Sequence, residues 1–373
     1  MLGFVKHFTP NWFTVGMGTG ITALGAYLYP DGPHWLKMVG TGLWLFNTIL
    51  VGTLLILMVA RWALNWSGSV KLLHDPVQSM FLGAVPMALT TVINGFIDMG
   101  KPIFGPLAIH IAFWLWGVNV LMALASGIVV PYLMFVSHDH RLDKMTGIWL
   151  MPVVPAEVAA ASGALLLPHV SGIMLQKDFM IVSLGLWALS VPLAFLMLGF
   201  LFLRLALHRL PPAEMAISTW ISLGTLGTGI MGLVGLGKSM PLVFGGIGHY
   251  MDGTAILGSL ALWGFGLWWL TLSILTTSHY ARRGLPFNLG WWGLTFPLGV
   301  FTGGTDMLYD QLHITLIGWF AHVFYWLLVV FWSTVFLRTL VEFAKGRLTV
   351  AGSPHRLALK TPLTAATRTG TDN

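Results

Sequence analysis

Ten apolar segments, each about 20 residues or longer, occupy most of this chain and leave little else to fold. They run approximately over residues 11–30, 35–60, 77–97, 103–136, 147–167, 179–207, 212–236, 250–278, 290–309 and 312–341. A helix rises about 1.5 Å per residue, so about 20 apolar residues cross the roughly 30 Å of hydrocarbon in a bilayer. Only 9% of the residues are charged, against about 25% in soluble domains. No stretch between segments is long and polar enough to be a soluble domain. The chain therefore reads as one all-α integral membrane domain of ten transmembrane helices over residues 1–346. A cytoplasmic tail over 347–373, with Thr361, Thr364, Thr367, Thr369 and Thr371 among small residues, is expected to be disordered.

Charge sorting sets the expected topology. With the N-terminus inside, only Lys37, Lys101, Lys177 and Lys238 of the nineteen lysines and arginines fall on the outer side. The other fifteen, including every arginine, fall inside. The positive-inside rule then places both termini in the cytoplasm of a multi-pass protein of the cell's inner (plasma) membrane. The net charge of +6 is accounted for by these helix ends and anionic lipid, and points to no nucleic acid. The chain has no cysteine, which excludes disulfides, thiol chemistry and thiolate-held metals. Residues 1–10 are too polar for a cleavable signal, and the first span begins at once.

Odd and even segments differ in kind. The odd ones are rich in small residues and proline: Gly16, Gly18, Thr19 and Gly20; Gly83, Ala84, Pro86 and Ala88; Pro152, Pro155 and the run Ala159–Gly163; Gly224, Gly227, Thr228 and Gly229; Gly293, Pro297, Gly299, Gly303 and Gly304. The even ones hold most tryptophans, among them Trp44, Trp114, Trp116, Trp187, Trp263, Trp268, Trp269, Trp326 and Trp332. Small residues let helices approach closely in lipid. Proline frees a backbone carbonyl, tolerable only inside protein or beside water. Large aromatics suit lipid and the interface. Five helical hairpins are expected, with an inner ring of odd helices around a central pathway and an outer ring of even ones. A short echo, Pro155-Ala-Glu-Val-Ala159 and Pro212-Ala-Glu-Met-Ala216, fits such a repeat. Ordinary tight packing without a pore is the alternative.

No enzyme motif is present, and no catalytic residue, metal or cofactor is assigned. Gly227-Thr-Gly-Ile-Met-Gly232 has the spacing of a dinucleotide fingerprint but lies within a span rather than after a strand. His110, His313 and His322 have no paired pattern that would hold haem or metal, and read as polar contacts. Glu157 is placed near mid-membrane, the only acid so deep, where a carboxylate is costly and marks a functional site by default. It is either a proton-coupling group or a structural acid bonded to a neighbouring helix. Glu214, at the start of span seven, reads as an acid favoured by a helix N-terminus. Phe296-Pro297 pairs a helix-bending proline with an aromatic, which either packs or narrows a bore.

Helix polarity adds one argument. All five odd helices start inside, so their positive dipole ends converge on the inner mouth and favour anions. Lys37, Lys101, Lys177 and Lys238 form either an anion-attracting outer rim or merely soluble loops. Thr19, Met87, Pro155, Glu157, Thr228, Thr295 and Pro297 are candidate pathway residues.

Four groups of segments resemble the tellurite-resistance/dicarboxylate transporter family, which includes the bacterial tellurite-resistance protein TehA, yeast malate permease, fungal sulfite efflux pumps and plant guard-cell slow anion channels. They are Phe8-Thr-Pro-Asn-Trp-Phe13 with Met17-Gly-Thr-Gly-Ile21; Asp75–Gly83 with Val85-Pro-Met87; Trp149–Pro155 with Ala159–Gly163; and Trp291-Trp-Gly-Leu-Thr-Phe-Pro297. The resemblance covers spans one to ten and is greatest to the sulfite-pump branch. It implies quasi-fivefold hairpins around a largely uncharged pore, usually in a homotrimer, with a span-nine phenylalanine occluding the pore; Phe296 matches that position. Glu157 departs from the apolar residue of many relatives. The function this implies is export or channel conduction of small anions, sulfite or a similar oxyanion foremost. A proton-coupled malate (C4-dicarboxylate) transporter or a tellurite-resistance protein is the alternative.

Overall fold

The computed structural model describes residues 2–30 and 32–348, and every regular element within them is helical. Ten longer helices follow the ten apolar segments: α1 Phe13–Leu28, α2 His34–Leu64, α3 Ala84–Asp98, α4 Leu107–Val136, α5 Pro155–Leu166, α6 Ile173–His208, α7 Ile221–Phe244, α8 Gly246–Ala281, α9 Phe296–Leu312 and α10 Thr315–Ala344. Seven stretches are long and apolar enough to cross a membrane, five of them the even helices. The chain is a helical integral membrane protein. Residues 345–348 form turns; of the tail expected over 347–373, residues 349–373 lie outside the described residues.

Four odd helices fall short of the expected 20 residues: α1 has 16, α3 has 15, α5 has 12 and α9 has 17. Each odd helix is preceded by a 3-10 lead-in, at Pro10–Trp12, Ser79–Gly83, Gly147–Leu150, Ala213–Trp220 and Leu289–Leu294. The lead-ins lengthen the path with a tighter coil. Pro155 and Pro297 sit in the first turn of α5 and α9. There the missing N–H would have no intrahelical partner anyway, so proline starts these helices rather than bending them as expected. Prolines inside helices are Pro131, Pro192 and Pro241, in α4, α6 and α7.

Burial separates the two sets of helices. The most apolar windows of the stretches containing α3 and α7 are 89% buried, against 22–33% for the even helices. Nearly every residue of α1 and α5 is also enclosed. The even helices are two-faced. In α4, Trp114, Leu121, Ile128 and Phe135 are exposed at seven-residue spacing, while Ala108, Ala112, Trp116, Asn119, Ala123, Ser126 and Val130 face inward at spacings of three and four. That is the pattern of a helix with one side in lipid and the other on protein.

The odd helices pack on one another in sequence: α1 on α3, α3 on α5, α5 on α7, α7 on α9, and α9 back on α1. The five lead-ins touch in the same order. Each even helix covers a seam, α2 lying on α1 and α3, α4 on α3 and α5, α6 on α5 and α7, α8 on α7 and α9, and α10 on α9 and α1.

The even-helix tryptophans are not all at the lipid. Trp114 and Trp326 are exposed, but Trp44, Trp116 and Trp269 are buried. One indole from each even helix donates Nε1–H to an odd helix: Trp44 to Val92 O (3.2 Å), Trp116 to Ala159 O (2.8 Å), Trp187 to Gly229 O (2.9 Å), Trp263 to Thr305 Oγ1 (3.1 Å) and Trp332 to Thr19 Oγ1 (3.3 Å). Indole has an apolar body and one donor, so it fills a helix seam and closes a polar gap there. The far ends of the even helices hold the lead-ins or the chain just ahead of them. Arg61 bonds to Phe8 O and Arg204 to Asp143 O (2.8 Å), Tyr280 donates to Pro211 O, and Arg338 lies 5.9 Å over the Trp291 ring. Arg61 and Arg204 are buried, so two of the sorted cations act as stitches rather than as free surface charge.

Candidate functional site: a cavity at the lead-in end

The site is assembled from the segments just before each odd helix. Their backbones come very close. A Cβ on Gly83 would collide with the Met151 carbonyl oxygen, and one on Gly147 with that of Ser218. Only glycine permits such an approach without displacing a backbone. Asp75 Oδ1 accepts from the N–H groups of Val77 and Gln78 (2.9 and 2.8 Å), and Asn288 Oδ1 accepts from Gly290 N (2.7 Å). These side-chain turns fix where two of the lead-ins begin.

Together the lead-ins and first turns enclose a cavity of about 360 Å³, within the size range of small-molecule sites. All five odd units contribute wall residues, and no residue of an even helix does. Polar wall groups are Asn11, Thr14, Gln78, Ser218 and Asn288; Met17, Phe81, Met87, Ile148, Met151, Val154, Ile221 and Phe296 supply apolar surface. Glu214 is the one charged wall residue among those described, and no lysine or arginine lines the space. The wall extends no farther along the five helices than Met17, Met87, Val154, Gly224 and Pro297, with Phe296 the aromatic at that depth. Five helix N-termini point at this end, so backbone dipoles supply the positive potential that side chains do not.

The expected site residues divide into two groups. Met87, Phe296 and Pro297 are on the wall. Thr19, Pro155, Glu157, Thr228 and Thr295 are buried outside the set that lines it. Thr19 accepts from Trp332, and Thr295 Oγ1 donates to Trp292 O (2.7 Å). Thr228 Oγ1 lies 2.6 Å from Glu157 Oε1. Glu157 is not the only enclosed acid: Asp98 Oδ2 and Asp306 Oδ1 are likewise buried without a partner among the described residues. Glu214 sits in the first turn of its 3-10 lead-in, as expected of an acid at a helix start. The Pro155/Pro212 echo is not structurally equivalent. Pro155 begins helix α5 after its lead-in, whereas Pro212 precedes the lead-in of α7.

Lys37, Lys101, Lys177 and Lys238 are exposed at the end opposite the cavity, and none forms an ion pair among the described residues. His110 bonds to Pro106 O (3.1 Å), His313 caps α9 in the left-handed conformation, and His322 lies 5.2 Å from the Tyr29 ring. On the loop before α5, the His140 ring packs 4.8 Å from Trp149. Burial, and then His138 beside it, pushes the His140 imidazole below its ordinary range. The polar wall residues Asn11, Gln78 and Asn288 were not among the expected pathway residues; their signal is position, each lying just ahead of an odd helix.

A model of the SLAC1 voltage-dependent anion channel family matches residues 7–340. The chain belongs to that family. Among relatives, this SLAC1-family chain is 34% identical to the sulfite efflux pump SSU1 of Arthroderma otae, over 91% of each chain. It is 30% identical to an uncharacterised transporter of Methanocaldococcus jannaschii, over 91% of this chain and 94% of that one. A malic acid transport protein of Schizosaccharomyces pombe is 20% identical over 88% of this chain and 76% of its own. The family and these relatives support anion transport across a membrane.

Proposed function

We propose that this SLAC1-family protein conducts small anions outward through a pathway between its five odd helices, with sulfite or a similar oxyanion as the foremost substrate. The observation that carries this is the cavity wall. Every odd unit contributes to it, the even helices contribute nothing, and Phe296 stands at its inner limit. The five helices are read as a quasi-fivefold ring around a conduit, with Phe296 closing the bore. Their N-terminal dipoles attract an anion, and a wall without lysine or arginine binds it weakly enough to release it. Both termini are placed in the cytoplasm of the plasma (inner) membrane, so the cavity is the cytoplasmic mouth. A negative interior then drives anions outward, by about 2.3 kcal/mol per charge per 100 mV. Thr19, Pro155, Thr228 and Thr295 back this pathway, the outer lysines form its rim, and the working unit is a homotrimer. Sulfite is favoured by SSU1 at 34% identity over most of both chains. The malate relative is more distant at 20%, so dicarboxylate transport is the secondary reading.

The test is electrical. Purified protein in planar bilayers is offered sulfite, nitrate, chloride and malate in turn. Phe296→Ala is expected to raise the current carried by the permeant anion, because it removes the ring at the narrow point. Unchanged current in that variant overturns the closure, and malate current exceeding sulfite current overturns the substrate order.

A further inference from the structure

Glu157 is fully buried in the first turn of α5 and does not line the cavity. Its Oε1 lies 2.6 Å from Thr228 Oγ1 on α7, and that same hydroxyl oxygen lies 2.7 Å from Gly224 O. Thr228 has one hydroxyl proton. Both contacts are full hydrogen bonds only if one neighbour donates, and of the two only a carboxylic acid can. Ser190, on α6 beside Glu157, gives its own proton to Val153 O at 2.9 Å. The remaining carboxyl oxygen, Oε2, has no partner among the described residues. An uncharged acid leaves the least unpaired polarity in such a place.

The link leads to the wall. Gly224 lines the cavity, and a Cβ on it would stand 3.6 Å from Pro297, the residue after Phe296. A threonine hydroxyl bonded to the carbonyl one turn back bends its helix. We propose that Glu157, as a neutral hydrogen-bond donor, positions the Phe296 closure through Thr228 and the α7 backbone at Gly224. Donation from Glu157 commits the Thr228 proton to Gly224 O and holds α7 against Pro297. This role rests on the closure assigned to Phe296 above.

The experiment measures nitrate current through the full-length protein in planar bilayers. Glu157→Leu, Glu157→Gln and Thr228→Val are each made with Phe296 present and in the Phe296→Ala background. With Phe296 present, Glu157→Leu and Thr228→Val are each expected to change the closed-state current about fivefold, the effect of one lost hydrogen bond. The two together should do no more than one alone, the mark of a shared interaction. Glu157→Gln, whose amide still donates to Thr228, should match the parent. In the Phe296→Ala background all three should have no further effect. Effects that persist there, additive effects, or a glutamine variant behaving like the leucine one would overturn the relay. A Phe296→Ala channel no more conductive than the parent instead removes the closure itself. Should Glu157→Leu fail to fold, Thr228→Val and Glu157→Gln read the same link with smaller changes.

Discussion

Individual residues set how closely the lead-ins approach. Gly83 and Gly147 each face a carbonyl oxygen of the neighbouring lead-in, where a backbone stands in the way rather than a side chain that can swing aside. Gly83→Ala is therefore expected to destabilise the protein by about 1–3 kcal/mol, the usual cost of overpacking. Gly42, in the interior of α2, has nothing within 4 Å of the place a Cβ would take. Gly42→Ala should leave stability unchanged or improve it through helix propensity. Thermal melting of both variants in detergent checks the contrast, and equal melting temperatures would refute it. Residues were unevenly legible in the sequence. Phe296 stood out because a proline follows it in an apolar run. Glu157 stood out because it is an acid in one, but nothing in the sequence disclosed that its partner is a threonine 71 positions later. Asp98 and Asp306 escaped notice because they lie near the ends of their segments, where an acid looks ordinary.

Among the helices, the even ones do more than shield the odd ones from lipid. Their tryptophans recur at 44, 116, 187, 263 and 332, each followed three positions on by a residue facing the same seam: Asn47, Asn119, Ser190, Gly266 and Val335. This repeat, at intervals of about one hairpin, was present in the sequence but hidden among other tryptophans that do face lipid. Uniform apolarity conceals which side of a helix is inside, because lipid and protein interior are equally dry. What betrays the inner side is the spacing of small and polar residues, not hydropathy. Trp116→Phe removes one N–H donor to Ala159 O and should cost about 1 kcal/mol. That would lower the melting temperature by a few degrees. Trp114→Phe, on the exposed face two residues away, should have no such effect. A matched response of the two would refute the latch. The short lengths of α1, α3, α5 and α9 were illegible for a related reason: a 3-10 lead-in and an α-helix look alike in an apolar run.

For the whole molecule, direction in the membrane has a direct check. The chain has no cysteine, so a single introduced thiol reports its own side of the membrane. With the cavity mouth inside, Lys37→Cys and Lys238→Cys should react with an impermeant maleimide added to intact cells. Lys6→Cys should react only after the membrane is opened. The reverse pattern would turn the protein over and with it the direction of transport. The class of fold and the alternation of two kinds of helix were legible because lipid imposes both. The cavity was less so, since it is built from the irregular stretches where hydropathy carries least information.

The bond from Trp332 to Thr19 joins residues 313 positions apart, and α10 lies on α1 as well as on α9. A nascent chain makes its hairpins in order, and each can settle against the one before. The first helix, however, waits with one flank bare until the last has left the ribosome. Assembly of this protein thus ends where it began, and a chain cut short before its final hairpin lacks the contacts that join α1 to α9 and α10.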